Sequence, residues 1–438
     1  MNRQLLDAGR RRVTDRLPAA RRLAASDTAR AAGMALAVAL MNVLALVFTV
    51  AFARILGASG YGSLAVLLSA FIILTVPGSA LQIATAREIS HAVADGEADP
   101  GSGVRLWLRH LGLATVAVAA LAVPLREVIG SVLAVDDTWA AAAVPVSGML
   151  WAVVCVERGA LQGFQRYRLV GSSLVGEGVL RLVFALLLVA AGLDVVGAFL
   201  GTGTALVGVG LVLYGALRRD LTHGRPEGER GLRSLLRTSG VPVAGLTLLF
   251  ALQEAHVIVV KHEVADDAAG SYAVAAVAAK GVIWVAVGLG MYLLPEASRR
   301  ARAGEDAKPV LLTTLGLIAV IGAPMVVVYA VAAGPLLAAV FGDDLTGATG
   351  ALPWLGLAMT FLACSYLCVQ YLLALGHRRF IAILGLAALA DVALLAAIGS
   401  NLTHVAIALC TLQAACAIPL FGVCLRAKPE RPIAFLPV

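Results

Sequence analysis

Arg54-Ile55-Leu56-Gly57-Ala58-Ser59-Gly60-Tyr61-Gly62 separates two long apolar runs near the start of the chain. A glycine-rich turn between two such runs predicts a helix that stops, turns and starts again. A degenerate copy, Val264-Ala265-Asp266-Asp267-Ala268-Ala269-Gly270-Ser271-Tyr272, places Tyr272 211 positions after Tyr61. A second marker recurs at nearly the same offset. Leu161-Gln162-Gly163-Phe164-Gln165-Arg166-Tyr167 is echoed by Ala374-Leu375-Gly376-His377-Arg378-Arg379-Phe380, with Arg166 and Arg379 213 positions apart. Two markers at matching offsets predict a chain built from two similar halves.

The 438 residues are 60% hydrophobic and 14% charged, and the mean hydropathy is +0.90. A soluble domain carries about 25% charged residues, so the solvent for this much apolar surface is lipid. Twelve apolar spans follow, at about 33–52, 61–85, 106–124, 139–157, 168–191, 195–217, 239–261, 271–294, 309–331, 352–374, 380–399 and 402–425. Each approaches or exceeds the ~20 residues that a bilayer-crossing helix needs. Ala, Leu, Val and Gly dominate them without strict alternation, which argues for helices over an outer-membrane barrel. The first span has full transmembrane length and reads as an uncleaved anchor.

The expected fold is therefore all-α and polytopic, with two six-helix lobes, 33–217 and 239–425, around a central cavity. A basic segment (1–32), a linker (218–238) and a tail (426–438) complete the chain. Loops on the side of the termini hold 29 of the 34 Lys and Arg residues. The opposite loops hold Arg54, Arg126 and Lys261, and the last two, Arg181 and Lys280, fall inside spans. That asymmetry places both termini in the cytoplasm. Tyr61, Trp139, Tyr272 and Trp354 are expected at the outer interface, and Trp107, Tyr167, Tyr214 and Tyr292 at the inner one.

Several function classes are excluded. The net charge of +7 is topological, and no basic patch with interleaved aromatics points to nucleic acid. The outer loops are short, and no nucleophile or metal constellation stands out, so the chain does not read as an enzyme and needs no cofactor. Cys364 and Cys368 share a helix face but lack a His or carboxylate beside them, so they read as packing residues. No phosphate-cradling Gly-x-x-x-x-Gly-Lys motif is present. Gly201-Thr202-Gly203, with Gly208 and Gly210, reads as a helix-packing face.

Ionisable groups inside spans are the informative set, because exposing them to lipid is costly. Glu177 and Arg181 stand four apart on one helix face and are positioned to pair. Glu254 and His256 lie in span seven, Lys280 in span eight and Asp391 in span eleven. All fall near one depth, which predicts a polar cavity between the halves. Lys280 is the candidate anion site for a phosphate or diphosphate, with Glu254 as the bland alternative partner. Arg54 and Arg181 are candidate helpers.

Phe52-Ala53-Arg54-Ile55-Leu56-Gly57 with Tyr61-Gly62 resembles the start of Wzx-type polysaccharide flippases of the multidrug/oligosaccharidyl-lipid/polysaccharide (MOP) exporter superfamily. Ala269-Gly270-Ser271-Tyr272, Leu294-Pro295-Glu296-Ala297-Ser298 and the Gly163–Tyr167 stretch are similar to later parts of that family. The resemblance implies a MATE/MOP-like V of two lobes in a bacterial inner (plasma) membrane. It implies transfer of a polyprenyl-diphosphate-linked oligosaccharide from the inner to the outer leaflet. It also implies H+ or Na+ coupling and glycan polymerase or assembly proteins as partners. Lys280 takes the place of a cavity cation. Glu177, Glu254 and Asp391 depart from a simply cationic cavity and suit an alternative, an antiporter of small organic cations. Twelve spans argue against the usually fourteen-helix peptidoglycan-precursor flippases.

Overall fold

The structure is a computed structural model that describes residues 27–95, 99, 101–221 and 240–428. Residues 1–26, nearly all of the expected linker and the end of the tail lie outside the described residues. The helices are α1 (Asp27–Ala94), α2 (Ser102–Ala122), α3 (Arg126–Leu133), α4 (Thr138–Gly163), α5 (Tyr167–Leu188) and α6 (Asp194–Leu217). They continue as α7 (Gly240–Glu263), α8 (Asp266–Ala279), α9 (Gly281–Ala303), α10 (Lys308–Phe341), α11 (Leu352–Ala374), α12 (Phe380–Ile398) and α13 (Leu402–Arg426). No strand occurs among the described residues.

Ten helical stretches are long and apolar enough to cross a membrane. Two of them are far too long for one crossing, because a helix rises about 1.5 Å per residue and the hydrocarbon core is about 30 Å thick. Gly33–Ala94 has 62 residues and Tyr167–Leu217 has 51. The first folds back at Gly57, whose φ of 67° and ψ of −173° lie outside the helical range. A Cβ disfavours that positive φ, and glycine carries none. The fold-back is visible in contacts. Thr49 and Tyr61 line one and the same cleft, although a straight helix would hold them about 18 Å apart. The second stretch breaks at Gly192 (φ 87°) and Asp194 (φ 36°). The ten stretches thus supply twelve passes, and the chain is a multi-pass membrane protein.

α1, α2, α4, α5 and α6 pack among themselves, and α9 to α13 do the same, with α7 on α12. The α5–α6 hairpin is tight because a Cβ on Gly201 would lie 2.6 Å from the Ala185 side chain. That is the small-residue packing expected for this glycine set. α1 carries the main contact between the two groups, through α7 and α8.

The opening turn and its echo meet at this contact. A Cβ on Gly62 would lie 3.0 Å from the Gly270 nitrogen, and one on Gly270 would lie 1.8 Å from the Ala58 carbonyl oxygen. The duplicated turns are therefore pressed backbone to backbone. Nearby, the Arg54 guanidinium donates to the carbonyls of Ala339 (2.8 Å) and Val340 (2.9 Å) at the end of α10. His262, at the end of α7, donates to the Val132 carbonyl at 2.9 Å. Lys261 pairs with Asp266 across the α7–α8 corner. We call this the turn face, and the opposite one, where α6 ends and α7 begins, the linker face.

Four expectations need correction. Span eight is not one helix; it is interrupted at Lys280, between α8 and α9. Span nine does not stop near 331, because the apolar run continues to Phe341 and Pro335 only kinks it, at Ala332. Tyr61, Tyr272 and Trp107 are not interfacial aromatics. They are buried at 1%, 0% and 1% exposure, since Tyr61 and Tyr272 flank the close contact of the two turns. Arg158, one of the 29 basic residues counted to loops on the side of the termini, is instead fully buried, and its removal from that count leaves the charge asymmetry intact.

Candidate functional site

The in-span ionisable groups do not form one cavity. They fall into three clusters, and only one of these lies between the two helix groups.

The first is built on the interruption of span eight. α8 ends at Ala279 and α9 starts at Gly281, and Lys280 sits between them with ψ of −7°. Its N–H reaches back only three residues, to Val277. The Tyr329 hydroxyl from α10 takes the Ala278 carbonyl at 2.6 Å, which satisfies a group that would otherwise be orphaned in the membrane. Lys280, which carries the ammonium, is the residue that caps the carboxyl end of α8. Glu254 of α7 holds that ammonium with both oxygens, at 2.8 and 2.7 Å. Glu254 also accepts from Ser69 of α1 at 2.7 Å and from Gln253 at 2.9 Å. Glu254 is completely buried and Lys280 is 8% exposed. The bond from Ser69 to Glu254 joins the two helix groups. A cleft of about 220 Å³ opens onto the pair, lined also by Asn42, Thr49 and Trp284.

The second cluster lies inside the first group of helices. Glu177 of α5 accepts from Arg158 of α4 at 2.8 Å and from Arg181, one helical turn away, at 2.6 Å. Arg158 also donates to the Ser173 hydroxyl at 3.0 Å and the Ser173 carbonyl at 3.1 Å. Breaking a buried pair leaves an uncompensated charge and costs about 3–5 kcal/mol. Arg158→Met is therefore expected to lower the thermal unfolding temperature of the detergent-purified protein markedly. Arg181→Met, whose side chain is 20% exposed, is expected to lower it less. Equal melting of the two variants would show that burial of Arg158 carries no such cost.

The third cluster lies inside the second group. His256 of α7 stands 3.0 Å from the Tyr272 hydroxyl of α8. Asp391 lies on α12, which packs on α7, and is 1% exposed. Among the described residues, neither oxygen of Asp391 has a hydrogen-bond partner, nor does Nε2 of His256 or Oε1 of Gln413 on α13. Buried unpartnered polar atoms are uncommon and need an explanation. A buried acid with two unpartnered oxygens can take a proton or a small cation.

Of the candidate substrate residues, only Lys280 faces the cleft between the groups. Arg54 is engaged at the turn face by α10, at a different level, and Arg181 is turned to Glu177. Sequence reasoning missed Arg158 and Glu157, which stand where span four seemed to end. Their signal was present: α4 runs on to Gly163, so both lie well inside a helix.

No protein-family model and no curated protein sequence matches the chain. Solved structures do. An inward-facing multidrug-resistance MATE-family transporter of the MOP superfamily aligns with a TM-score of 0.76 at 13% identity, over 88% of this chain and 94% of that one. The lipid II flippase MurJ in an inward closed conformation aligns at 0.66 and 13% identity, over 91% and 88%. A mutant of the MATE transporter VcmN from Vibrio cholerae aligns at 0.61 and 16% identity, over 93% and 99%. The chain thus has the all-helical fold of these membrane transporters over nearly its whole length.

Proposed function

We propose that this protein is a transporter that moves a polyprenyl-diphosphate-linked oligosaccharide from the inner to the outer leaflet of a bacterial plasma membrane. The termini and the linker face lie in the cytoplasm, as the loop arginines indicate. The carrying observation is Lys280, an ammonium at a helix break that opens onto the cleft between the two helix groups. Glu254 presents two oxygens to it, and a phosphate can present oxygens in the same way. Arrival of the headgroup displaces Glu254, which also holds Ser69 across the groups. Binding therefore weakens a bond that keeps the halves together, and a ligand that favours one arrangement over another shifts their balance. The close contact of the two turns suits a state closed to the outside and open to the cytoplasm. The glycan stays in the polar cleft and the prenyl chain in lipid. Asp391, with His256 and Gln413, is the site for a coupling H+ or Na+. Glycan polymerase or assembly proteins take the product.

Deleting the gene tests this. Lipid-linked oligosaccharide should accumulate on the cytoplasmic leaflet and surface glycan should be lost. A second reading, export of small organic cations, is favoured by the acids Glu254 and Asp391. Under that reading deletion leaves the glycan intact and overexpression confers resistance to cationic drugs.

A further inference from the structure

A trough runs along the outside of the first helix group, between α2, α4 and α6, away from Lys280. Two cavities form it, of about 460 and 550 Å³. They share Leu150 and Val207. From Tyr214 to Val196 the trough follows 18 residues of α6, roughly 27 Å, close to the ~30 Å of hydrocarbon in a bilayer. The half toward the turn face, ending at Trp139, is lined by no charged residue.

The half toward the linker face is different. Arg105 and Arg109 line it from successive turns of α2, and both are exposed. Neither forms an ion pair or hydrogen bond among the described residues. Their headgroup-level position, at the start of α2, is where lipid phosphates lie. Glu157 faces them from α4. It is 2% exposed, its Oε2 has no partner, and that oxygen lies 3.6 Å from where a Cβ on Gly210 would stand. An unpartnered buried acceptor thus points into a trough whose mouth carries two free cations.

We infer that this trough holds one anionic phospholipid whose headgroup carries hydroxyls, as phosphatidylglycerol does. The phosphodiester lies on Arg105 and Arg109, and a headgroup hydroxyl donates to Oε2 of Glu157. An acyl chain lies against α6 and reaches Leu150 and Val207. Two arginines and one acid favour a lipid with net negative charge over a zwitterion. The buried acceptor favours a hydroxylated headgroup over a bare phosphate. The inference does not rest on the transport reading and is tested without it.

The full-length protein is purified from vesicles of phosphatidylethanolamine with phosphatidylglycerol, and the lipids retained are counted by native mass spectrometry. Wild-type protein is expected to retain one phosphatidylglycerol that phosphatidylethanolamine does not replace. Arg105→Gln with Arg109→Gln is expected to lower its retention about tenfold, as loss of charge-assisted hydrogen bonds predicts. Val207→Trp, which fills the trough where the cavities meet, is expected to lower it without touching the headgroup. All three positions are exposed, and unchanged thermal unfolding checks that the variants fold. Equal retention of phosphatidylethanolamine would overturn the inference. So would undiminished phosphatidylglycerol in the double variant, or preferential retention of added undecaprenyl phosphate.

Discussion

Lys280→Ala is expected to abolish export of the cognate glycan while the protein remains in the membrane. Losing a hydrogen bond to a charged group costs about 1.5–3 kcal/mol, or about 10- to 150-fold in headgroup affinity. The ambiguity of this variant lies in Glu254. Without Lys280 a fully buried carboxylate keeps only Ser69 and Gln253, and that alone destabilises the site. The double variant Lys280→Ala with Glu254→Gln separates the two roles. It removes the stranded charge and keeps an acceptor for Ser69. If Lys280 binds the headgroup, folding recovers in the double variant and export does not. Recovery of both would reduce the pair to a structural ion pair and remove Lys280 from the substrate path. Glu254→Gln alone leaves the ammonium free of its competitor, and glycan-lipid binding should then tighten.

What the sequence made legible was largely one-dimensional. Span positions follow from hydropathy, and the turn at Gly57 and the packing role of Gly201 follow from residue chemistry. Depth is equally legible, since residues at equal distances along neighbouring spans share a level. Direction around the bundle is not. Positions along the spans put Glu177, Glu254 and Asp391 at one expected depth, which suggests one cavity. Glu177 turns to Arg158 within its own group, Asp391 is buried within the other, and of these three only Glu254 lines the cleft. A span's lipid-facing and protein-facing sides are both apolar here, so no amphipathic stripe sets the rotation. The break at Lys280 was hidden for a related reason. Only Gly281 marks it, while Tyr329, which stabilises the broken end, lies 49 positions later in the chain.

The opening turn carries the other large effect. Gly270→Val is expected to eliminate transport by preventing closure of the turn face. The added Cβ would lie 1.8 Å from the Ala58 carbonyl oxygen, and approaches under 3.0 Å essentially never occur. The opposing atom belongs to backbone, which cannot rotate away, so the two groups must separate by roughly 1 Å or more along a close-packed contact. A carrier needs that face closed in half of its cycle, whichever substrate it moves. Gly62→Ala provides a graded comparison. Its Cβ would stand 3.0 Å from the Gly270 nitrogen and 3.2 Å from the Asp266 oxygen, a strain that a small shift relieves, so part of the activity should survive. Ser271→Cys reports the geometry directly, because Ser271 is 3% exposed and lies beside Gly347 at the closed contact. A membrane-impermeant maleimide should leave this cysteine unlabelled in the otherwise native protein and label it when Gly270→Val is added. Full transport by Gly270→Val, with the cysteine still protected, would mean that the duplicated turns are not the gate.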